Sequence, residues 1–354
     1  MKICIVTFYK SDNSGTFWQA KILGKAIERL GHQVCYFDTK STTMSTVEKF
    51  LAFGKMLFLP AHNKTVKIMK DFKSKKRFYE CRKELKIIPN NPQIIKDIDC
   101  FVLGSDTIWN LDGKRIEQKI KLMWGNQFDG KKVITYAGSV ANTSKEKFSQ
   151  FPQLPSYIQK WKSISVRDSH TFEILSSVTD KPIEIVCDPT LLFHKNDYKM
   201  MLSHPPKEKY IFLYLFKKLS SDQQEQLRSF ADEQGLKIIQ GTHGNRNSTF
   251  YDEMSINEPY TFLNNMFYAS YVITDTFHGA VFSTNLEKKF VAMERGKNKV
   301  NDFLKSVGLE NRLVCGGQDL LSMLTKDIDY EVVNQAVASM RERSYQYLKS
   351  AIES

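Results

Sequence analysis

Short, continuously apolar runs recur along the chain at 3–8, 34–38, 100–104, 132–137, 164–167, 183–187, 210–216, 236–240, 271–274 and 290–293. They are rich in Ile, Val, Tyr and Phe, as strands buried on both faces of a parallel sheet should be. Between many of them the apolar residues fall at helical spacing. The spacing predicts a helix over 16–30 that stops at Gly31, and another over 220–234 that stops at Gly235. Strand–helix alternation of this kind predicts an α/β protein of doubly wound sheets. The first four runs are assigned to one Rossmann-like domain, 1–150, and the remaining six to a second, 156–328. The prolines at 152 and 155 mark the boundary. Residues 329–354 read as one long helix packing back on the N-terminal domain.

The length of 354 residues suits two domains, and 42% hydrophobic with 25% charged residues is an ordinary globular composition. No apolar run approaches the roughly 18–20 residues of a membrane span. The opening residues read as a strand rather than a secretory signal, so the expected location is the cytoplasm. The six cysteines include no C-x-x-C pair, and the seven histidines are scattered. Neither a disulfide framework nor a metal site is expected.

The net charge of +12 is uneven: residues 63–86 hold ten basic against three acidic residues. One reading is a solvated helical face. The sharper one is a basic amphipathic element that touches an anionic surface, the inner membrane leaflet or a lipid-diphosphate carrier. Nucleic acid is not an expected partner, because the stretch lacks interleaved aromatic residues.

Ligands of open α/β sheets bind outside the carboxyl ends of strands. The most informative such end is Asp275-Thr276-Phe277-His278-Gly279-Ala280, where a strand gives way to a helix starting at Ala280. Histidine there can pass protons near neutral pH, and a helix start favours anions. Arg167, at the end of run 164–167, carries a fork suited to carboxylate or phosphate, or else pairs with Asp168. Asp188 closes another strand. Thr242 and His243 sit in a small polar loop that could cradle phosphate. In the first domain, Ser105, Asp106 and Trp109 follow a strand, as do Asn13 and Gly15. Asp106 could take a proton from a sugar hydroxyl. Trp109 could stack on a sugar ring or pack in the core.

Five pieces in series carry a resemblance. They are Asn13-x-Gly15 with Gln19-Ala20 after the first strand, Gly104-Ser105-Asp106-x-x-Trp109-Asn110, Ser165-Val166-Arg167-Asp168, Asp188-Pro189-Thr190 and Asp275-Thr276-Phe277-His278-Gly279. In this order the chain resembles the polysaccharide pyruvyl transferase family. The resemblance implies two Rossmann-like domains facing a cleft, as in GT-B glycosyltransferases. It also implies transfer of a pyruvyl group from phosphoenolpyruvate to a saccharide, free or lipid-linked, as a ketal in cell-surface polysaccharide biosynthesis. No cofactor is implied beyond the donor substrate.

The family's functional arginine and histidine map onto Arg167 and His278. With Asp106 these are the expected catalytic residues. Arg167, Thr276, Phe277, His278, Gly279, Ala280, Thr242 and His243 are expected at the donor. Asn13, Gly15, Ser105, Asp106 and Trp109 are expected at the acceptor. Some members carry Arg-Leu-His-Gly where this chain has Thr276-Phe277-His278-Gly279. Another basic residue could substitute, from the loop 243–246 or from Arg295 and Lys297. The alternatives are a nucleotide-sugar transferase of the same fold, with Glu258 or Glu294 as the ribose carboxylate, and a non-catalytic saccharide- or membrane-binding protein.

Overall fold

The computed structural model describes residues 1–39, 73–112, 116–203, 205–241, 250–256, 258–294, 298–316 and 319–354. Its strands are β1 (Lys2–Val6), β2 (Gln33–Phe37), β3 (Ile87–Ile88), β4 (Cys100–Leu103), β5 (Lys132–Thr135), β6 (Ile164–Val166) and β7 (Ile183–Ile185), followed by β8 (Tyr210–Tyr214), β9 (Lys237–Gln240), β10 (Glu253–Met254), β11 (Tyr271–Thr274), β12 (Lys289–Met293) and β13 (Leu313–Val314). All pairings between them are parallel. One sheet has the order β3-β2-β1-β4-β5 and the other β10-β9-β8-β11-β12-β13. Each reverses direction once, at β1/β4 and at β8/β11. Such a switch point opens a crevice outside the strand ends.

The helices that matter for the cleft are α1 (Ser14–Arg29), α2 (Ser169–Ser176), α3 (Pro259–Tyr268), α4 (Phe277–Asn285), α5 (Asn298–Ser306) and α6 (Tyr330–Glu353). The Asn13 side chain caps α1 by accepting from the Thr16 N–H, and Gly31 follows the helix with φ 86°. Nearly every residue of α1 from Ser14 to Ile27 is buried. A helix buried this completely must be covered on all sides. Here the first sheet covers one side and the second domain the other. The Trp18 indole N–H donates to the Pro259 carbonyl of the α3 start at 2.9 Å. One apolar cluster accordingly runs through both domains, from Ile5, Phe17 and Trp18 to Phe282, Val337 and Ile352. Two further clusters back the outer faces of the sheets.

The domain boundary differs from the expected one. β6 and β7, expected to open the second domain, pair with each other and lie beside β5. Ile134 bridges Ser163 and Gly138 bridges Val166, both parallel. Ile164, Val166, Ile174 and Leu175 share a cluster with Val6, Phe101 and Leu103 of the first sheet. The prolines near 152–155 interrupt a crossover within the first domain, and the change of sheet comes after β7. Arg167, expected on the second domain, therefore extends from the first. Helix α6 touches both domains: Tyr330 Oη donates to the Lys288 carbonyl at 2.6 Å, and Tyr347 Oη to the Thr135 carbonyl at 2.9 Å.

Residues 63–72 of the basic stretch lie outside the described residues. Within the rest, Arg82 is spent locally, on the carbonyls of Tyr9 and Ser11 and on Asp12. Among the described residues no helix is long and apolar enough to cross a membrane, and no group of His, Cys, Asp and Glu is arranged to hold a metal ion.

Candidate active site

The two switch points face each other across a cleft of about 430 Å³. From the first domain it is lined by Asn13, Asp106, Thr107, Asn110 and Arg167. From the second it is lined by Phe216, Thr276, His278, Glu294, Lys299 and Asn301, among others.

Arg167 is the hub. It leaves β6 with its side chain 4% exposed. Its Nη1 donates to Asp188 Oδ2 at 2.8 Å, and its Nη2 lies 3.8 Å from Asp106 Oδ1. The guanidinium stands 4.4 Å from the ring centre of Phe277, a cation–π contact. Burial opposes its charge, but Asp188, Asp106 and Asp168 outweigh burial and hold the guanidinium protonated. Asp188 is itself fully committed. Its Oδ1 accepts from the Thr190 N–H at 3.0 Å and from Thr190 Oγ1 at 2.7 Å. A buried carboxylate held in this way orients its partners.

His278 reaches the same carboxylate from the other domain, with Nε2 3.7 Å from Asp188 Oδ2. Nε2 is buried and makes no hydrogen bond. Burial pushes the imidazole below its ordinary value of 6.5; Asp188 and Asp106 pull it back only in part, against Arg167 and Lys299. His278 is thus neutral at pH 7. On its far side the ring packs on Gly15 of α1. A Cβ at that position would overlap Nδ1, Cγ and Cβ of the histidine.

Asp106 follows β4 in the left-handed region, with φ 71°. It accepts from Thr16 Oγ1 at 3.1 Å and from the Thr107 N–H at 2.8 Å. Burial pushes its carboxyl up, but Arg167, His278, Lys299 and the Thr107 N–H hold it below the usual carboxylate range. The cleft therefore presents an ionised acceptor, a neutral imidazole and fixed cations.

Several expected contacts lie elsewhere. Trp109 is fully buried, donates to the Met123 carbonyl at 2.9 Å and stacks on Trp161 at 5.0 Å, so it is core rather than a sugar platform. Ser105 is buried between Gln19 and Thr7. Gly15 faces the histidine, not open cleft. Helix α4 begins at Phe277, three residues before the expected start, because the Thr276 hydroxyl caps it by accepting from the Gly279 N–H at 2.9 Å. The Ala280 N–H is likewise taken, by the Thr276 carbonyl at 3.1 Å. Gly279 and Ala280 therefore offer no donor to an anion. Gly279 is needed because a Cβ there would overlap Thr274 Oγ1. Thr242, His243, the rest of the loop to 246, Arg295 and Lys297 lie outside the described residues. Glu258 is buried as the cap of α3, accepting from the Tyr260 and Thr261 N–H groups.

Lys299 and Phe216 are among the cleft residues that escaped the sequence reading. Lys299, on α5, lies close enough to act on both Asp106 and His278. It stands two residues beyond Lys297, in a basic run whose direction only the fold sets. Phe216 ends the β8 run; strand order alone reveals that this end lies at a switch point.

The sequence model of the polysaccharide pyruvyl transferase family matches residues 13–297. The chain belongs to that family. The match spans Asn13, Asp106, Arg167, Asp188 and His278 and ends before Lys299 and Asn301. No curated protein matches the chain by sequence. Among solved structures, a Listeria monocytogenes protein named for UDP-N-acetylglucosamine 2-epimerase activity superposes with a TM-score of 0.51 at 10% identity, over 96% of this chain and 90% of that one. A UDP-GlcNAc 2-epimerase of Neisseria meningitidis bound to UDP-GlcNAc gives 0.48 at 8% identity, over 97% and 94%. Arabidopsis thaliana UGT89C1 complexed with UDP gives 0.47 at 11%, over 97% and 94%. The first of these likenesses shows the fold alone: this pyruvyl transferase family member has two Rossmann-like domains in the GT-B arrangement.

Proposed function

We propose that the protein transfers a pyruvyl group from phosphoenolpyruvate to two hydroxyls of a saccharide, forming a ketal and releasing phosphate. The observation that carries this reading is the meeting of Arg167 and His278, from different domains, on Asp188 beside the ionised Asp106. Phosphoenolpyruvate has a carboxylate and a phosphate, so its site needs fixed cations. Arg167 and Lys299 line the cleft and supply them. In the first step a sugar oxygen bonds to C2 and C3 takes a proton. In the second, another sugar oxygen bonds to C2 while the C2–O bond to phosphate breaks, its electron pair leaving on phosphate. Of the two hydroxyl protons, one ends on C3 and one on phosphate. A neutral His278 with an unpartnered Nε2 is suited to accept a hydroxyl proton and return it to C3 or to the phosphate. Asp106, whose side chain is 14% exposed at the cleft wall, suits the second acceptor better than Asp188, at 1%.

The test is phosphate release from phosphoenolpyruvate in the presence of oligosaccharides, with the product ketal methyl followed by NMR. His278→Ala is expected to lower kcat by about 100- to 10,000-fold with little change in donor KM. Arg167→Ala is expected to raise donor KM as well. Turnover by His278→Ala near that of the wild type would remove the assignment. A nucleotide-sugar reaction would need a ribose carboxylate; Glu258 is committed to α3, which leaves Glu294. Release of UDP from a UDP-sugar, with no phosphate from phosphoenolpyruvate, would favour that reading.

A further inference from the structure

We propose that the second-domain lip of the cleft, built on Phe216, Glu294 and Asn301, is a stacking subsite that holds a sugar ring of the acceptor. The inference deepens the reading above and rests on its saccharide acceptor, but not on the identity of the donor.

Phe216 is a large apolar side chain left 41% exposed in a wall of the cleft. Its backbone is fixed. Asp275, 2% exposed at the end of β11, accepts from the Phe216 N–H at 2.8 Å and from the Lys217 N–H at 2.9 Å. Charge-assisted bonds to both oxygens of a buried carboxylate make a stiff support. The support joins the ends of β8 and β11, the two strands that flank the switch point of the second sheet. The fold thus uses a buried charge to hold an aromatic ring at the place where ligands of such sheets bind.

The surroundings select a saccharide. Met293 and Leu313 add apolar groups to the same cleft, and Glu294 and Asn301 add polar ones. The C–H face of a pyranose covers an aromatic ring, while its hydroxyls donate to carboxylate and amide oxygens. Glu294, which also approaches the Cys315 thiol, would repel a phosphate placed on this lip but accepts from hydroxyls. A ring seated on Phe216 lies in the cleft that also holds Asp106 and His278, so a neighbouring sugar can extend to the proton-transfer groups. Trp109, which the sequence pattern offers for stacking, is in the core; the platform is on the opposite domain.

The experiment uses the full chain and an array of β-linked hexose and N-acetylhexosamine oligosaccharides, with UDP as the comparison ligand. All four tryptophans are buried, so a Phe216→Trp variant reports locally. Its emission should change on adding an oligosaccharide retained by the array. Phe216→Ala should weaken that binding about tenfold, and Glu294→Gln a few-fold, by the scale of single stacking and hydrogen-bond contacts. In turnover the rise should fall on saccharide KM. Thermal melts confirm folding, since Phe216 is a half-exposed side chain. The proposal is overturned if Phe216→Ala binds oligosaccharide like wild type, if UDP alone changes the Phe216→Trp emission, or if no oligosaccharide is retained at millimolar concentration. Should saccharide binding depend on Phe216 while phosphoenolpyruvate releases no phosphate, the subsite stands and pyruvyl transfer falls.

Discussion

At the scale of single residues, charge balance around Arg167 decides the protonation of the cleft. One guanidinium, hydrogen-bonded to Asp188, helps hold Asp106 as an anion, and burial keeps His278 neutral beside them. Both carboxylates favour the imidazolium, so Asp106→Asn should move the His278 titration still further below 6.5. Ring NMR of the ligand-free protein across acidic pH measures it, and an upward movement would contradict the electrostatic account. The same burial has a stability consequence. An unfolded histidine takes a proton near 6.5, whereas the folded one resists until lower pH. Between those values the unfolded chain binds more protons, so stability falls as pH falls through that window. Arg167 and His278 were legible in sequence because both sit where an apolar run ends. Lys299 was not, because its helix carries it to the cleft from a loop whose path no local pattern encodes.

At the scale of elements, α1 and α4 meet end to end across the domain boundary. Periodicity foretold α1 to within two residues at its start and one at its end. It could not reveal why Gly15 is a glycine: the reason is an imidazole from residue 278. Gly15→Ala sets two effects against each other. Removing a helical glycine stabilises by up to about 1 kcal/mol, while the new methyl must displace the His278 ring. The expected result is a thermal midpoint near that of the wild type with kcat lowered on the order of 100-fold, the effect of misplacing a reacting group by about 1 Å. Unchanged kcat in a folded Gly15→Ala variant would show that the contact does not position the ring. The start of α4 was misjudged because His-Gly reads as a turn. The Thr276 hydroxyl instead caps the helix three residues earlier and consumes the N–H groups expected to meet an anion.

At the scale of the molecule, α6 ties the two sheets together. Arg341 donates to the Leu191 carbonyl at 2.6 Å and to Asn285 Oδ1 at 3.1 Å, and Lys132 Nζ reaches the Ile352 carbonyl at 2.7 Å. Leu348 is fully buried in the cluster shared by both domains. Leu348→Ala should cost about 2–5 kcal/mol, seen as a lower denaturant midpoint; a loss under about 0.5 kcal/mol, the scale of surface substitutions, would place that helix outside the cooperative core. By itself the sequence determined the α/β class, the positions of the long strands and helices, and the strand ends that carry reactive side chains. These follow from side-chain periodicity and end signals, which act over a few residues. The tertiary structure alone decided that β6 and β7 belong with the first sheet, that Trp109 is core, and that Phe216 faces the cleft. Parallel strands buried on both faces look alike whichever sheet they join. Their partners are chosen by hydrogen bonds and packing between segments far apart in the chain, and no local pattern records that choice.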